Sequence, residues 1–302
     1  MIEGKTHNHA PLPFRGVIHL GVVYLVWSST YLAMRILVAA GSGFTPFTAG
    51  ASRMLIASVI ILTIAYFRHT SIWPSRSELP LIIITGILFW VTGNGLIMWG
   101  EKHAFSGLAA LLASTTPIWA SFFESILSRR RPSLQLIGSL FLGLAGIAVL
   151  MGPSLTTFNA TDISSYLALV CASISIAAAS VIQSRRAMHI SSLVMSGWQH
   201  LFAGLSFVII TLFIGDPFPQ PSINALMALA YLIIFASVIA FTSYTISIKL
   251  LPINIVMTYA YVNPVLALLL GWWLLNETIT AWTIGGAILV LVAVVGVFRS
   301  RK

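Results

Sequence analysis

The side chains of this sequence that could do chemistry are few, and they sit inside apolar runs. Arg53 and His200 are ionisable groups set well inside such runs, and each is expensive to hold away from water without a task or a partner. Arg53 offers a planar fork of donors suited to a carboxylate, and serves equally well as a structural cation tying helix ends together. His200 fits polar packing; no neighbouring acid supports a proton-responsive role. Around them, aromatic and amide residues recur at helical spacing: Trp27 with Tyr31, Trp90 with Asn94, Phe241 with Tyr244, and Tyr259 with Asn263. Rings with a few amides and hydroxyls suit a pocket for a small, partly hydrophobic molecule, and they also suit plain bundle packing. The candidate binding set for a small-molecule substrate is therefore Trp27, Tyr31, Trp90, Asn94, Tyr244, Tyr259 and Asn263, with Arg53 and His200.

Other chemistries lack their residues. No paired carboxylates and no HExxH spacing occur, so neither a catalytic site nor a metal or cofactor site is expected, and the chain does not read as an enzyme. No Asp or Glu lies near the centre of any apolar run, which argues against obligatory proton exchange through a buried carboxylate. Glu124 lies near a run's end, within reach of Arg129. Cys171, the single cysteine, reads as a small buried apolar residue.

The elements that must position these residues follow from composition. With 58% hydrophobic residues, 8% charged residues and a mean hydropathy of +0.96, the chain is no ordinary soluble domain, in which roughly 25% of residues are charged. Its apolar runs match a hydrocarbon core of about 30 Å crossed by helices. Ten fit: Val17–Val38, Thr45–Phe67, Leu79–Gly100, Gly107–Leu127, Leu134–Met151, Ile163–Gln183, Leu193–Ile214, Ile223–Ile248, Ile253–Leu275 and Ala281–Phe298. Period-2 alternation is absent, so the fold class is all-α, a polytopic membrane protein. The first run is longer than a signal-peptide core and is read as an uncleaved helix.

The net charge of +9 does not point to nucleic acid, because the basic residues recur in every second loop instead of forming a patch. One side holds Arg68, Arg76, the Arg129–Arg131 cluster, Arg185, Arg186 and Lys249 together with both tails; the other holds Arg35 and Lys102. By the positive-inside rule both termini are cytoplasmic, in a cell (inner or plasma) membrane.

Residues 88–152 and 235–299 repeat one pattern at a fixed offset of 147, with Lys102 on Lys249, Pro117 on Pro264 and Gly138 on Gly285. Each copy carries five spans, an odd number, so the two five-helix repeats are inverted with respect to each other. Inverted repeats are a pattern of secondary transporters. The first repeat is residues 1–152 with a tail at 1–15, the polar segment 153–162 is an external linker, and the second repeat is 163–302. Pro117 and Pro264 fall mid-span at equivalent positions and are expected to free the carbonyls of Ala113 and Ala260, making paired hinges. The fifth and tenth spans, rich in Gly and Ser, suit close packing at the periphery or against a second protomer.

These features resemble the drug/metabolite transporter superfamily, and within it the ten-span EamA-type exporters. The resemblance runs over residues 12–299 and rests on the duplication, on Val26-Trp27-Ser28-Ser29-Thr30, on Arg53, and on the stretches Pro117 to Gly138 and Pro264 to Gly285. Asn276-Glu277-Thr278 looks like that family's acidic turn; Ser128-Arg129-Arg130-Arg131 departs from it. The resemblance implies export of small metabolites, commonly amino acids or their analogues, through a central cavity, with the last helix of each repeat outside it. Partners would be a small-molecule substrate and the lipid bilayer, and the chain a monomer or homodimer. Two rivals are a membrane-embedded enzyme on a lipid-linked substrate and a non-transporting membrane scaffold, whose mark would be a solid bundle without a cavity.

Overall fold

The computed structural model describes residues 12–101, 111–152, 163–186, 188–275 and 279–300, and every regular element among them is helical. Helices α1 (Phe14–Leu37), α2 (Pro46–Phe67), α5 (Leu134–Leu150), α6 (Ile163–Ser184), α7 (Ser192–Ile214) and α10 (Ala281–Arg299) are uninterrupted. Helix α3 runs through Leu79–Gly86, Ile87–Gly95 and Leu96–Glu101, and α8 through Ile223–Tyr231, Leu232–Phe241 and Thr242–Leu250; in both the middle section is π-helical. Helix α4 is Thr116–Ser128, and α9 is Ile253–Val256 followed, after a turn, by Tyr259–Leu275. Among the described residues eight helices have the length and composition to cross a membrane, and Leu134–Leu150 is a shorter apolar one. The chain is an all-α polytopic membrane protein.

Start signals are chemically ordinary. The hydroxyls of Thr45, Ser133, Ser191, Ser222 and Thr280 each accept from a backbone N–H three residues on, satisfying donors that a helix leaves free at its first turn. Lys102, the linker at 153–162 and the Asn276-Glu277-Thr278 turn lie outside the described residues.

Packing follows the duplication. Helix α1 lies against α8 and α9, and its counterpart α6 lies against α3 and α4, so each half's first helix is embedded in the other half. The remaining counterparts pair directly, α2 with α7 and α5 with α10. The α5–α10 seam is tight because it is built of glycine: a Cβ on Gly286 would come 2.5 Å from that of Leu150, and one on Gly296 2.2 Å from the Ser139 hydroxyl oxygen.

Three local features depart from the sequence reading. The π-helical stretches of α3 and α8 occupy equivalent positions, a feature that uniformly apolar runs conceal. Pro117 stands in the first turn of α4, after a turn at 114–115, whereas Pro264 lies inside its helix. Cys171 is exposed on the outer face of α6, since the buried face carries Ser173, Ala177 and Ser180, and an apolar thiol loses nothing by facing lipid.

The basic end is held by polar contacts. Glu124 pairs with Arg185 at 2.6 Å, joining α4 to α6, in place of the expected Arg129, which caps α4 in the left-handed conformation at φ 53. Glu78, 6% exposed at the start of α3, joins the loop after α2 to the loop before α7. Its carboxylate accepts from the Ser75 N–H (3.0 Å) and hydroxyl (2.8 Å), and from the N–H groups of His189 (2.7 Å) and Ile190 (3.3 Å). Burial by itself would raise this carboxyl, but the four donors outweigh it and hold it down at about 2. The Trp198 indole donates to the Ile72 carbonyl at 2.7 Å, fastening the loop after α2 to α7 itself.

Candidate functional site

The two π-helical stretches meet at the centre of the bundle, and their wider turns leave backbone carbonyls that side chains must satisfy. In α3 the Leu88 carbonyl accepts from Thr92 (3.0 Å) and Ser175 (2.9 Å), and the Phe89 carbonyl from the Asn94 amide (3.0 Å). In α8 the Ala236 carbonyl, the counterpart of Phe89, accepts from the Trp27 indole at 3.3 Å. Trp27 thus sits on α1 with its polar edge turned to the other half.

Its ring is the hub of an aromatic cluster. Ring centroids lie 4.9 Å from Tyr259, 5.1 Å from Tyr244 and 6.1 Å from Phe89. From Phe89 the contacts continue to Phe241 at 5.0 Å and Trp90 at 5.2 Å, and from Trp90 to His200 at 4.8 Å. The Tyr244 hydroxyl is bonded to Ser180 at 2.5 Å, and Tyr24 ties α1 to Thr258, at the break in α9, at 2.5 Å. Of the candidate set, the structure therefore brings together Trp27, Trp90, Tyr244, Tyr259 and His200. The Tyr31 side chain lies outside the described residues. Asn263 is 2% exposed one position before Pro264, and its Oδ1 has no donor among the described residues.

Arg53 joins the cluster from α2. Its Nε donates to Ser237 at 2.9 Å, one NH group points at the Met34 sulfur at 3.6 Å, and its guanidinium carbon lies 5.1 Å from the centre of the Trp90 ring. Arg53 and His200 are repeat counterparts, and so are Trp90 and Ser237. One contact between counterpart positions is therefore made twice with different chemistry, Arg53 on Ser237 and His200 on Trp90. His200 is fully buried and donates Nδ1–H to the Ser196 carbonyl at 2.8 Å, leaving Nε2 without a partner among the described residues.

A cavity of about 10 Å³, room for roughly one water, lies between α1, α2, α3 and α7 in the half away from the basic end. Arg53, Trp90, Asn94, Met34, Met98 and Phe207 line it. In this conformation the rings of the cluster pack against one another at the centre of the bundle, and the water-sized cavity lies beside Arg53.

The paired kinks are in contact as well. The Ser114 hydroxyl donates to the Ala260 carbonyl, which Pro264 leaves free, at 3.1 Å, and the Ala113 carbonyl accepts from Thr116 at 2.7 Å. Phe241, paired with Tyr244 in the sequence, and Ser180 belong to the site as well, and Phe89 and Ser237, which were not singled out in the sequence, complete it. The offset of 147 carries Trp90 onto Ser237, which was the available signal. A further buried network, Gln199 donating to Thr85 (2.7 Å) and Gln183 (2.9 Å), joins α7 to α3 and α6.

The model of the EamA-like transporter family matches residues 14–152 and again residues 163–299. The chain belongs to this family. An inner membrane transporter of Escherichia coli (strain K12), YedA, is 30% identical over 288 residues, covering 94% of this chain and 90% of its own. The transporter YoaV of Bacillus subtilis (strain 168) is 24% identical over 90% of this chain, and the chloroplastic WAT1-related protein At3g02690 of Arabidopsis thaliana is 23% identical over the same share. A solved crystal structure shares the fold, with a TM-score of 0.80 at 20% identity, covering 93% of this chain and 95% of its own. The two EamA matches coincide with the two sets of helices that embrace one another in the bundle. The chain is thus a multi-pass membrane protein of a transporter family.

Proposed function

We propose that this protein is a secondary transporter that exports small amphipathic metabolites, amino acids or their analogues foremost, by alternating access. Its halves, residues 1–152 and 163–302, are joined by the external linker 153–162, with both termini in the cytoplasm. Trp27, Tyr31, Trp90, Asn94, Tyr244, Tyr259, Asn263, Arg53 and His200 form the substrate site, and Pro117 and Pro264 serve as hinges.

The observation that carries the reading is the reciprocal embedding of α1 and α6, with rings of the counterpart π-helical stretches in contact, Phe89 and Trp90 on Phe241. Such an arrangement has a twin in which the two halves exchange roles, and that twin opens to the opposite side of the membrane. The ring-filled centre fits a closed member of that cycle, in which aromatic faces rest on each other until a substrate parts them.

A panel of amino acids, their amides and their amines, loaded into proteoliposomes with and without a pH gradient, tests the proposal. Efflux of amino acids is expected, slowed at least about tenfold by Trp27→Ala, whose ring carries three of the central contacts. Replacing Pro117 and Pro264 together by Ala is expected to slow efflux more than it weakens binding. No efflux of any panel member, or wild-type rates in Trp27→Ala, would sink the reading.

A further inference from the structure

Arg53 is 6% exposed at membrane depth, and the groups that touch it, Ser237, Met34 and Trp90, are all neutral. Among the described residues the single ion pair of the chain is Arg185 with Glu124, at the basic end, so no described carboxylate balances the guanidinium. A charge taken out of water without a counter-ion is costly, and folds do not keep one for packing alone. Two of its five N–H donors have described partners, and the group faces the cavity it shares with Trp90 and Asn94. Trp90, 1% exposed, adds an indole N–H that has no acceptor among the described residues.

We propose that Arg53 is the anion subsite of the carrier. It takes the carboxylate of the substrate, with the Trp90 indole as a second donor, where the water-sized space those two residues line widens to admit it. The inference rests on the transport reading and narrows it to substrates that carry one carboxylate. The number one follows from the duplication, because the counterpart position holds His200, which spends Nδ1–H on a backbone carbonyl and offers no second fork of donors. The missing counter-charge arrives with the substrate, so the ligand completes an electrostatic balance that the fold leaves open.

The test uses the full chain purified in detergent, with its thermal midpoint measured in sodium acetate or sodium benzoate against acetamide or benzamide at matched ionic strength. The carboxylates are expected to raise the wild-type midpoint and the amides to leave it unchanged. Arg53→Gln is expected to abolish the response, and Arg53→Lys, which keeps the charge but loses the fork, to weaken apparent affinity by roughly tenfold. Without carboxylate, Arg53→Gln is expected to be at least as stable as the wild type, since it removes an unbalanced charge. Equal responses to acid and amide, a wild-type response in Arg53→Gln, no response at all, or an Arg53→Gln chain that fails to fold would each overturn the subsite. Carboxylate stabilisation without amino-acid efflux would instead remove the transport reading and leave the subsite standing.

Discussion

Removing the Glu78 carboxylate offers the sharpest check on how the basic end is held shut. The side chain collects four donors, two from its own loop and two from the loop before α7, and has no ion pair among the described residues. In Glu78→Gln one oxygen becomes an NH2 group, which must face either the Ser75 N–H or the His189 and Ile190 pair. At least one backbone donor then loses its acceptor. A hydrogen bond to a charged group contributes about 1.5–3 kcal/mol, and a loss of about 2 kcal/mol corresponds to a factor of roughly 30 in local opening. Amide hydrogen exchange at Ser75, His189 and Ile190 reads this directly, and in Glu78→Gln the side that receives the NH2 group, either Ser75 or the His189 and Ile190 pair, is expected to exchange about 30-fold faster. The carboxyl is depressed to about 2 from an ordinary 4.5, so its contribution is complete above the ordinary value and is lost as pH falls towards the depressed one. Protection in the wild type, corrected for intrinsic rates, is therefore expected to hold from pH 7 to about 5 and to fade below, while the variant shows no such fading. Unchanged exchange at all three amides would refute this account of the Glu78 contact.

Two further outcomes follow from contacts away from the centre. Gly286→Val is expected to destabilise the purified protein by about 1–3 kcal/mol through overpacking against α5, whereas Gly285→Val, whose Cβ would meet only Val149 at 3.9 Å, is expected to be neutral; denaturation midpoints of the two variants decide it. Tyr261→Phe removes the hydroxyl that donates to the Leu140 carbonyl at 2.8 Å and is expected to cost about 1 kcal/mol in the same measurement, with no change if the contact is idle.

The duplication was legible because it is written in residue identities, but that α2 packs on α7 and α5 on α10 was not, and the fifth and tenth spans, expected at the periphery or against a second protomer, pack on each other. The π-helical stretches were not legible. Ile87–Gly95 carries only Thr92 and Asn94 as polar side chains and Leu232–Phe241 only Ser237, too few for a change of helical period to leave a trace in the pattern. The prolines were visible but their surroundings were not, because the reach of Ser114 to the Ala260 carbonyl depends on the helices crossing. Aromatic residues on α1, α3, α8 and α9 converge as their spacing implied. Ser237 escaped because a lone serine in an apolar run looks inert until Arg53 is placed against it.

The reciprocal embedding of α1 and α6 also constrains how the chain is made. A ribosome that has finished α5 has produced surfaces on α3 and α4 shaped for a helix not yet synthesised, and an α1 whose resting place on α8 and α9 does not exist. The early half must wait in the bilayer, tolerated by lipid but without its intended neighbours, until the late half threads in. Severing the polypeptide between residues 152 and 163 should therefore yield two fragments that mature only when produced together, each acting as the other's assembly template.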